Sequence, residues 1–327
     1  MLRVFRTNDG VERALPIKPP PQDLKVLREL TRVWPPVVDG YLFINQQEVD
    51  AVIELRASLA DIANDCQYAS LDVTDIRTLL CFARARKLNI KAASLMWRNA
   101  YAWRKHHQPE KLAPGYVLPD VVDQYGTGGP FGFDRDGSPV FIDRLGQIDP
   151  GGILRHIESV DELLECEIAR LEYIQALTDV CVVRDRKLHW GITIIMDLTG
   201  LGVNHMHPGG LQAVKRIMAQ SDQNYPERAK RVLVINAPFI FSTIWKVVQN
   251  FLDPVTREKI QIFNDGAKKQ LLKYIAPDQL PEFLGGTATN GKGDRYCCPP
   301  IRPGGKIPKD FAAQSFEDSI DEGSLDM

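Results

Sequence analysis

Thr256 and Lys259 stand three residues apart in the segment DPVTREK and offer a hydroxyl and an ammonium to one ligand. Asp253 fits as a helix cap and Pro254 as the first helical residue, so the pair shares one face near a helix start. A phosphate oxygen suits those two donors; an ordinary solvated surface pair is the alternative. Arg84, Arg86 and Lys87 form a second cationic group in a short turn of the N-terminal half.

Other combinations assemble less. The glycine-rich YGTGGPFG, residues 125–132, lacks the Lys-Ser/Thr of a phosphate-binding loop and precedes no helix start, so it reads as a plain turn. No GxGxxG joins a strand to a helix. His205 and His207 would need a third ligand to hold a metal. Pro208 after them marks a first helical turn, so both read as loop histidines and no metal is expected. There is no GxSxG elbow, and Asp197 at a strand end has no partner acid or base. No catalytic constellation assembles, and the chain reads as a binding protein rather than an enzyme.

Composition sets the frame for such groups. With 44% hydrophobic and 25% charged residues, the 327-residue chain can build one large core, alone or with a small helical partner. Lys plus Arg number 40 against 42 Asp plus Glu, so nothing indicates a nucleic-acid partner and any anion site must be local. The start MLRVFRTNDG lacks the apolar run of a signal peptide, and no apolar stretch is long enough to cross a bilayer. Membrane contact is expected to be peripheral. Cys66, Cys81, Cys166, Cys181, Cys297 and Cys298 lack CxxC spacing, which reads as free thiols in a reducing, cytoplasmic compartment.

Pro16, Pro19, Pro20, Pro21, Pro35 and Pro36 predict extended or loop structure, a linker, up to about residue 40. Val49, Val52, Leu55, Leu59 and Ile62 have helical spacing, and then Thr74 and Asn89 each fit as the cap of a helix, one on either side of the basic turn. From Gly126 the pattern changes to strands, SPVFIDRL, WGITIIMDL, KRVLVINA and KIQIF, with helices over 160–182 and 210–224. The largely apolar runs predict strands covered on at least one face, hence an α/β fold. After Gly286 the chain is rich in glycine and proline and ends in acidic SFEDSIDEGSLDM, which predicts a disordered tail.

One helix stands out. Stepping about 100° per residue puts Ile240, Phe241, Ile244, Trp245, Val247, Val248, Phe251 and Leu252 on one broad arc, and Ser242, Thr243, Lys246, Gln249 and Asn250 on the other. So wide an apolar face fits either a core helix or a movable lid over an apolar cavity that also meets a membrane.

Five blocks carry a resemblance: LLCFARARKLNIKAASLMWRNAYAWRK (79–105), DRDGSPVFIDRLG (134–146), IIMDLTGLGV (194–203), YPERAKRVLVINAPFIFSTIWKVVQNFLDPVTREKI (225–260) and LLKYIAPDQLPEFLGG (271–286). In order and spacing over residues 70–288 the chain resembles the CRAL-TRIO lipid-binding domain, in its Sec-fourteen-like phosphatidylinositol-transfer branch. The resemblance implies an N-terminal extension over 1–69, a helical subdomain over 70–125, an α/β lipid-binding lobe over 126–288 and a tail over 289–327. The sheet would floor an apolar pocket with Ile192 and Ile194 in its wall. A gate helix carrying Phe239, Phe241, Ile244, Trp245, Val248, Phe251 and Leu252 would close it.

The resemblance also implies headgroup contacts at Arg86, Lys87, Glu227, Thr256 and Lys259. Phosphatidylcholine-binding members carry small hydroxyl residues where Ile192 and Ile194 flank Thr193, so a sterol-, tocopherol- or isoprenoid-like second ligand is expected. Lys230 replaces a glycine of close relatives and is expected to stiffen a hinge. The implied activity is non-covalent transfer of phosphatidylinositol, or a phosphoinositide, and a second lipid between membranes. It needs a lipid ligand and no cofactor, in a cytoplasmic, transiently membrane-associated protein. Alternatives are a lipid-gated regulator that meets a protein partner through its N-terminal segment or tail, and a carrier of a tocopherol-, sterol- or retinoid-like ligand.

Overall fold

The computed structural model describes residues 21–32, 45–63, 71–113, 116–189, 191–252, 254–263, 266–291, 293–298 and 300–311. The chain opens with helices α1 (Pro21–Thr31), α2 (Gln46–Ser58), α3 (Ile76–Ala85), α4 (Ile90–His107), α5 (Pro109–Leu112) and α6 (Asp120–Tyr125). Strands β1 (Thr127–Phe133) and β2 (Pro139–Asp143) follow, then α7 (Pro150–His156), α8 (Val160–Asp185), β3 (Ile192–Asp197) and α9 (Pro208–Asn224). The last part comprises β4 (Ala229–Ile235), α10 (Phe241–Val248), α11 (Pro254–Glu258), β5 (Ile260–Phe263), α12 (Ala267–Tyr274) and β6 (Arg302–Pro303).

Val52, Leu55, Leu79, Phe82 and Trp97 of the N-terminal helices form one core, which continues into Val182 of α8. Asn89 caps α4 as expected, accepting from Ala92 N–H at 3.0 Å. Asp75, not Thr74, caps α3; Thr74 is drawn instead into a turn by Asp72 Oδ1, 2.7 Å from its N–H. The helices are locked to α8 by the buried Arg77, whose guanidinium meets Asp75 at 2.6 Å and Asp179 at 2.9 Å.

The six-stranded sheet has the order β5-β4-β3-β2-β1-β6. Pairings from β2 to β5 are parallel, and β1 runs antiparallel to both β2 and β6. Alternation divides the inner strands. Ile142, Ile195 and Leu233 share a core with Leu271 of α12 and with Cys297 and Ile301. Ile192, Ile194, Val232 and Val234 turn to the other face, under α8 and α10. A sheet covered on both faces explains why its strands read as continuous apolar runs.

Three expectations are corrected. The linker over residues 1–40 contains α1, which Pro21 can open because a first-turn residue needs no N–H partner; Leu27 and Leu30 pack against the helical core. The plain turn in YGTGGPFG is instead strand β1. Its glycines permit close approach: a Cβ at Gly129 would lie 1.8 Å from the Pro300 carbonyl oxygen, and Gly128 and Gly132 have φ of +73° and +69°. The supposedly disordered tail is ordered to Phe311, because Ile301 and Ile307 are buried and β6 pairs with β1. Ser315, Ser319 and the acidic end lie outside the described residues.

Candidate functional site

A cavity of about 130 Å³ opens between the second sheet face, α8, the end of α9 and the turn from α9 into β4. Ile192 and Ile194 of β3 floor it, and Leu171 and Ile174 of α8 continue the apolar wall. Tyr225 borders it with its hydroxyl on Glu172 at 2.8 Å, and burial, reinforced by that carboxylate, raises the phenol well above its ordinary pKa. Apart from Ala229, the rest of the lining is charged or hydroxylic: Glu167, Arg170, Ser221, Asp222, Glu227, Arg228, Thr256 and Lys259.

Local backbone makes this convergence. Glu227 sits at φ +62°, a left-handed conformation that a non-glycine residue adopts at a cost. There its carboxylate meets the Lys259 ammonium at 2.7 Å. Lys259 also donates to the Ala229 carbonyl at 3.0 Å. Across the cavity Arg170 pairs with Glu167 at 2.6 Å, one turn apart on α8, and Ser221 donates to the same carboxylate at 3.2 Å.

Glu227, Thr256, Lys259, Ile192 and Ile194 are therefore brought together. Arg86 and Lys87 are not part of this lining: Arg86 caps α3 and donates to the Ala85 carbonyl, and Lys87 is exposed at φ +50°. Asp253 lies outside the described residues. Arg170 and Glu167 were missed. Their signal was an E-x-x-R pair, Glu167 and Arg170, flanking the apolar Ile168 and Ala169. Arg228 was missed beside Glu227.

The expected gate helix is shorter than its apolar arc. α10 ends at Val248, a 3-10 turn covers Gln249–Phe251, and Leu252 is extended. Phe239 lies before the helix and is 99% exposed. Ile244 is buried against Val232, Val234, Leu198 and Leu201, with Phe241 and Val248 half-buried beside it. Trp245 stacks on Phe241 at 5.8 Å, and the Lys215 ammonium lies 5.9 Å from the Phe251 ring. Ile194 packs in the cluster beneath α10 and also lines the cavity, so helix and cavity share one floor.

That volume falls short of the roughly 300–1,000 Å³ of ordinary ligand pockets. The space takes a small polar group rather than a long-chain molecule.

Two other clusters are structural. Lys230 ties β4 to the β1–β2 turn through Asp134 at 3.0 Å and Asp136 at 2.6 Å. Ser138, His189 and Asp185 lie in a line, at 3.2 and 2.9 Å, like a nucleophile, base and acid. Ser138 and His189 are 2% and 3% exposed, however, and Lys230 donates to Ser138 Oγ at 3.1 Å, so no substrate reaches the hydroxyl. His207 caps α9, accepting from Gly210 N–H at 3.4 Å.

A mixed sheet carries a helical N-terminal unit and a cavity between its second face and α8, the architecture of an α/β lobe. The chain belongs to the CRAL/TRIO domain family, whose model matches residues 123–286. It is 34% identical over 251 residues to "Protein real-time" of Aedes aegypti, covering 75% of this chain and 37% of that protein. It is 31% identical over 290 residues to the Drosophila melanogaster protein of the same name, covering 87% of this chain and 41% of that one. The chain thus spans about two-fifths of these relatives' length. The crystal structure of Sfh5 shares the fold, with a TM-score of 0.59 and 20% identity over 74% of this chain and 88% of that one. No helix among the described residues is long and apolar enough to cross a membrane.

Proposed function

We propose that the protein binds phosphatidylinositol or a phosphoinositide, together with a second hydrophobic lipid, and moves them between membranes without covalent chemistry. One observation carries this reading: cationic and hydroxyl groups from separate segments line a cavity whose floor, Ile192 and Ile194, runs on beneath the apolar helix α10. In this reading Glu227, Thr256 and Lys259 face the headgroup, while Arg86 and Lys87 approach only after rearrangement.

Each methylene entering the protein is worth about 0.8 kcal/mol, close to its value in a bilayer, so chain transfer is nearly neutral once a path exists. Such a path requires α10 to lift from Val232 and Val234, exposing the floor that Ile194 shares with the cavity. Phe241, Trp245 and exposed Phe239 would meet the membrane then, giving the transient, peripheral association expected of a cytoplasmic carrier. A purely apolar tocopherol- or retinoid-like cargo leaves the charged half of the lining unused.

Lipid extraction and native mass spectrometry of the purified protein, followed by vesicle-to-vesicle transfer, test the reading. Bound phosphatidylinositol with rapid exchange supports it. Tight, non-exchanging lipid with a stoichiometric protein partner would replace it with a lipid-gated regulator.

A further inference from the structure

Six charged side chains line the cavity, and they are not equivalent. Arg170 is matched by Glu167 at 2.6 Å and Lys259 by Glu227 at 2.7 Å, while Asp222 is engaged by other groups. Arg228 is the exception. It is 8% exposed and lines the cavity, yet its side chain has no hydrogen-bond or ion-pair partner among the described residues, and its Nε is fully buried. A guanidinium stays charged at any accessible pH, so burying one without a counter-charge is costly, and an anion bound beside it would offset that cost.

We infer that Arg228 anchors an anionic phosphate ester in this cavity, and that Lys259 and Glu227 act beside it as a charge-neutral positioning pair. The inference rests on the proposed reading of the cavity as a headgroup site and assigns its charge to a different residue. The donor set suits a phosphate ester. Arg228 presents a rigid fork, the Thr256 hydroxyl has no partner among the described residues, and Lys259 has a third proton left after Glu227 and the Ala229 carbonyl take two. Arg228 comes from the α9–β4 turn, and Thr256 and Lys259 come from the segment that leads through α11 into β5; all three line the cavity. The phosphate can belong to a lipid headgroup or to a water-soluble ester, and the chemistry at Arg228 is the same.

The test compares wild type with Arg228→Met, Arg228→Lys and the double variant Glu227→Gln/Lys259→Gln. Two probes are used: inorganic phosphate, read by the rise in melting temperature, and phosphatidylcholine vesicles doped with phosphatidylinositol, read by transfer. A structural arginine would lower the melting point on removal. Arg228→Met, which relieves an unpaired buried charge, is expected to melt no lower than wild type without phosphate and to lose its response to phosphate. Its transfer should fall roughly ten- to a hundred-fold, the worth of a hydrogen bond to a charged group. Arg228→Lys should keep part of both responses, and the double variant, which removes the neighbouring positioning pair but keeps the anchoring charge, should lose less of both responses than Arg228→Met.

An Arg228→Met protein that still responds to phosphate or still transfers overturns the inference. So does an Arg228→Lys protein that folds as wild type yet responds to neither probe, or a double variant as inactive as Arg228→Met. If wild type responds to phosphate through Arg228 but neither extracts nor transfers lipid, the anchor stands and the lipid-transfer reading fails; the ligand is then a water-soluble phosphate ester.

Discussion

Lys230 offers the most direct test of how the sheet is held. Its ammonium contacts Asp134, Asp136 and Ser138 Oγ, and the Asp134 side chain is 0% exposed. Lys230→Ala leaves that carboxylate accepting only from Thr193 Oγ1 at 2.8 Å and from the N–H groups of Asp136 and Ser138 at 3.0 and 2.9 Å. Arg231 stands farther off, at 3.9 Å. Removing one side of a buried pair costs about 3–5 kcal/mol, and the surviving donors place this case near ~3 kcal/mol. At roughly 2–4 °C per kcal/mol, melting should fall by about 6–12 °C. Asp136 is 45% exposed, so Asp136→Asn should lose less than ~1 kcal/mol. Urea unfolding of both variants reads these values. A Lys230→Ala loss below ~1 kcal/mol, or one no larger than that of Asp136→Asn, refutes the buried tie.

Burial, aided by Lys187 and Lys230 and opposed by Asp185, holds the His189 imidazole below its ordinary pKa of 6.5. The unfolded chain then takes its proton first, so this contribution is complete above that pH and declines as pH falls toward the folded value; His189→Gln should flatten the slope, and an unchanged slope assigns it elsewhere. Gly129→Ala drives a methyl into the Pro300 carbonyl and should cost about 3 kcal/mol, with proteolysis after residue 298 as the readout; wild-type protection would contradict the close approach. Phe239→Asp, at a 99% exposed site, should change stability by less than ~0.5 kcal/mol while lowering co-sedimentation with anionic vesicles. Equal sedimentation would remove Phe239 from the proposed membrane contact.

The α/β lobe was legible because strands β3 and β4 are buried on both faces and so lack polar alternation. The spacing of Thr256 and Lys259 put two donors on one face but left a solvated surface pair open; the resemblance singled them out, and packing places both in the cavity lining. Arg228 was hidden, since its importance lies in a missing partner, which only packing reveals. Strand β1 was hidden by its own glycines: Gly128, Gly129 and Gly132 look like a turn until Pro300 and Gln279 are seen against them. Helix α10 was legible as an apolar arc but not as a length, because an arc does not record where the helix gives way to a 3-10 turn.

Strand β6 has a practical consequence for anyone cutting this protein into pieces. A boundary placed where the glycines begin, near residue 288, would strip Arg302–Pro303 from β1 and leave unpaired N–H and C=O groups along an open margin. It would also uncover Leu280 and Leu284, which now share a core with Ile301. Such fragments would be prone to join edge to edge, and a shortened version that precipitates would reveal the loss of a two-residue clasp rather than a failure of the lobe to fold.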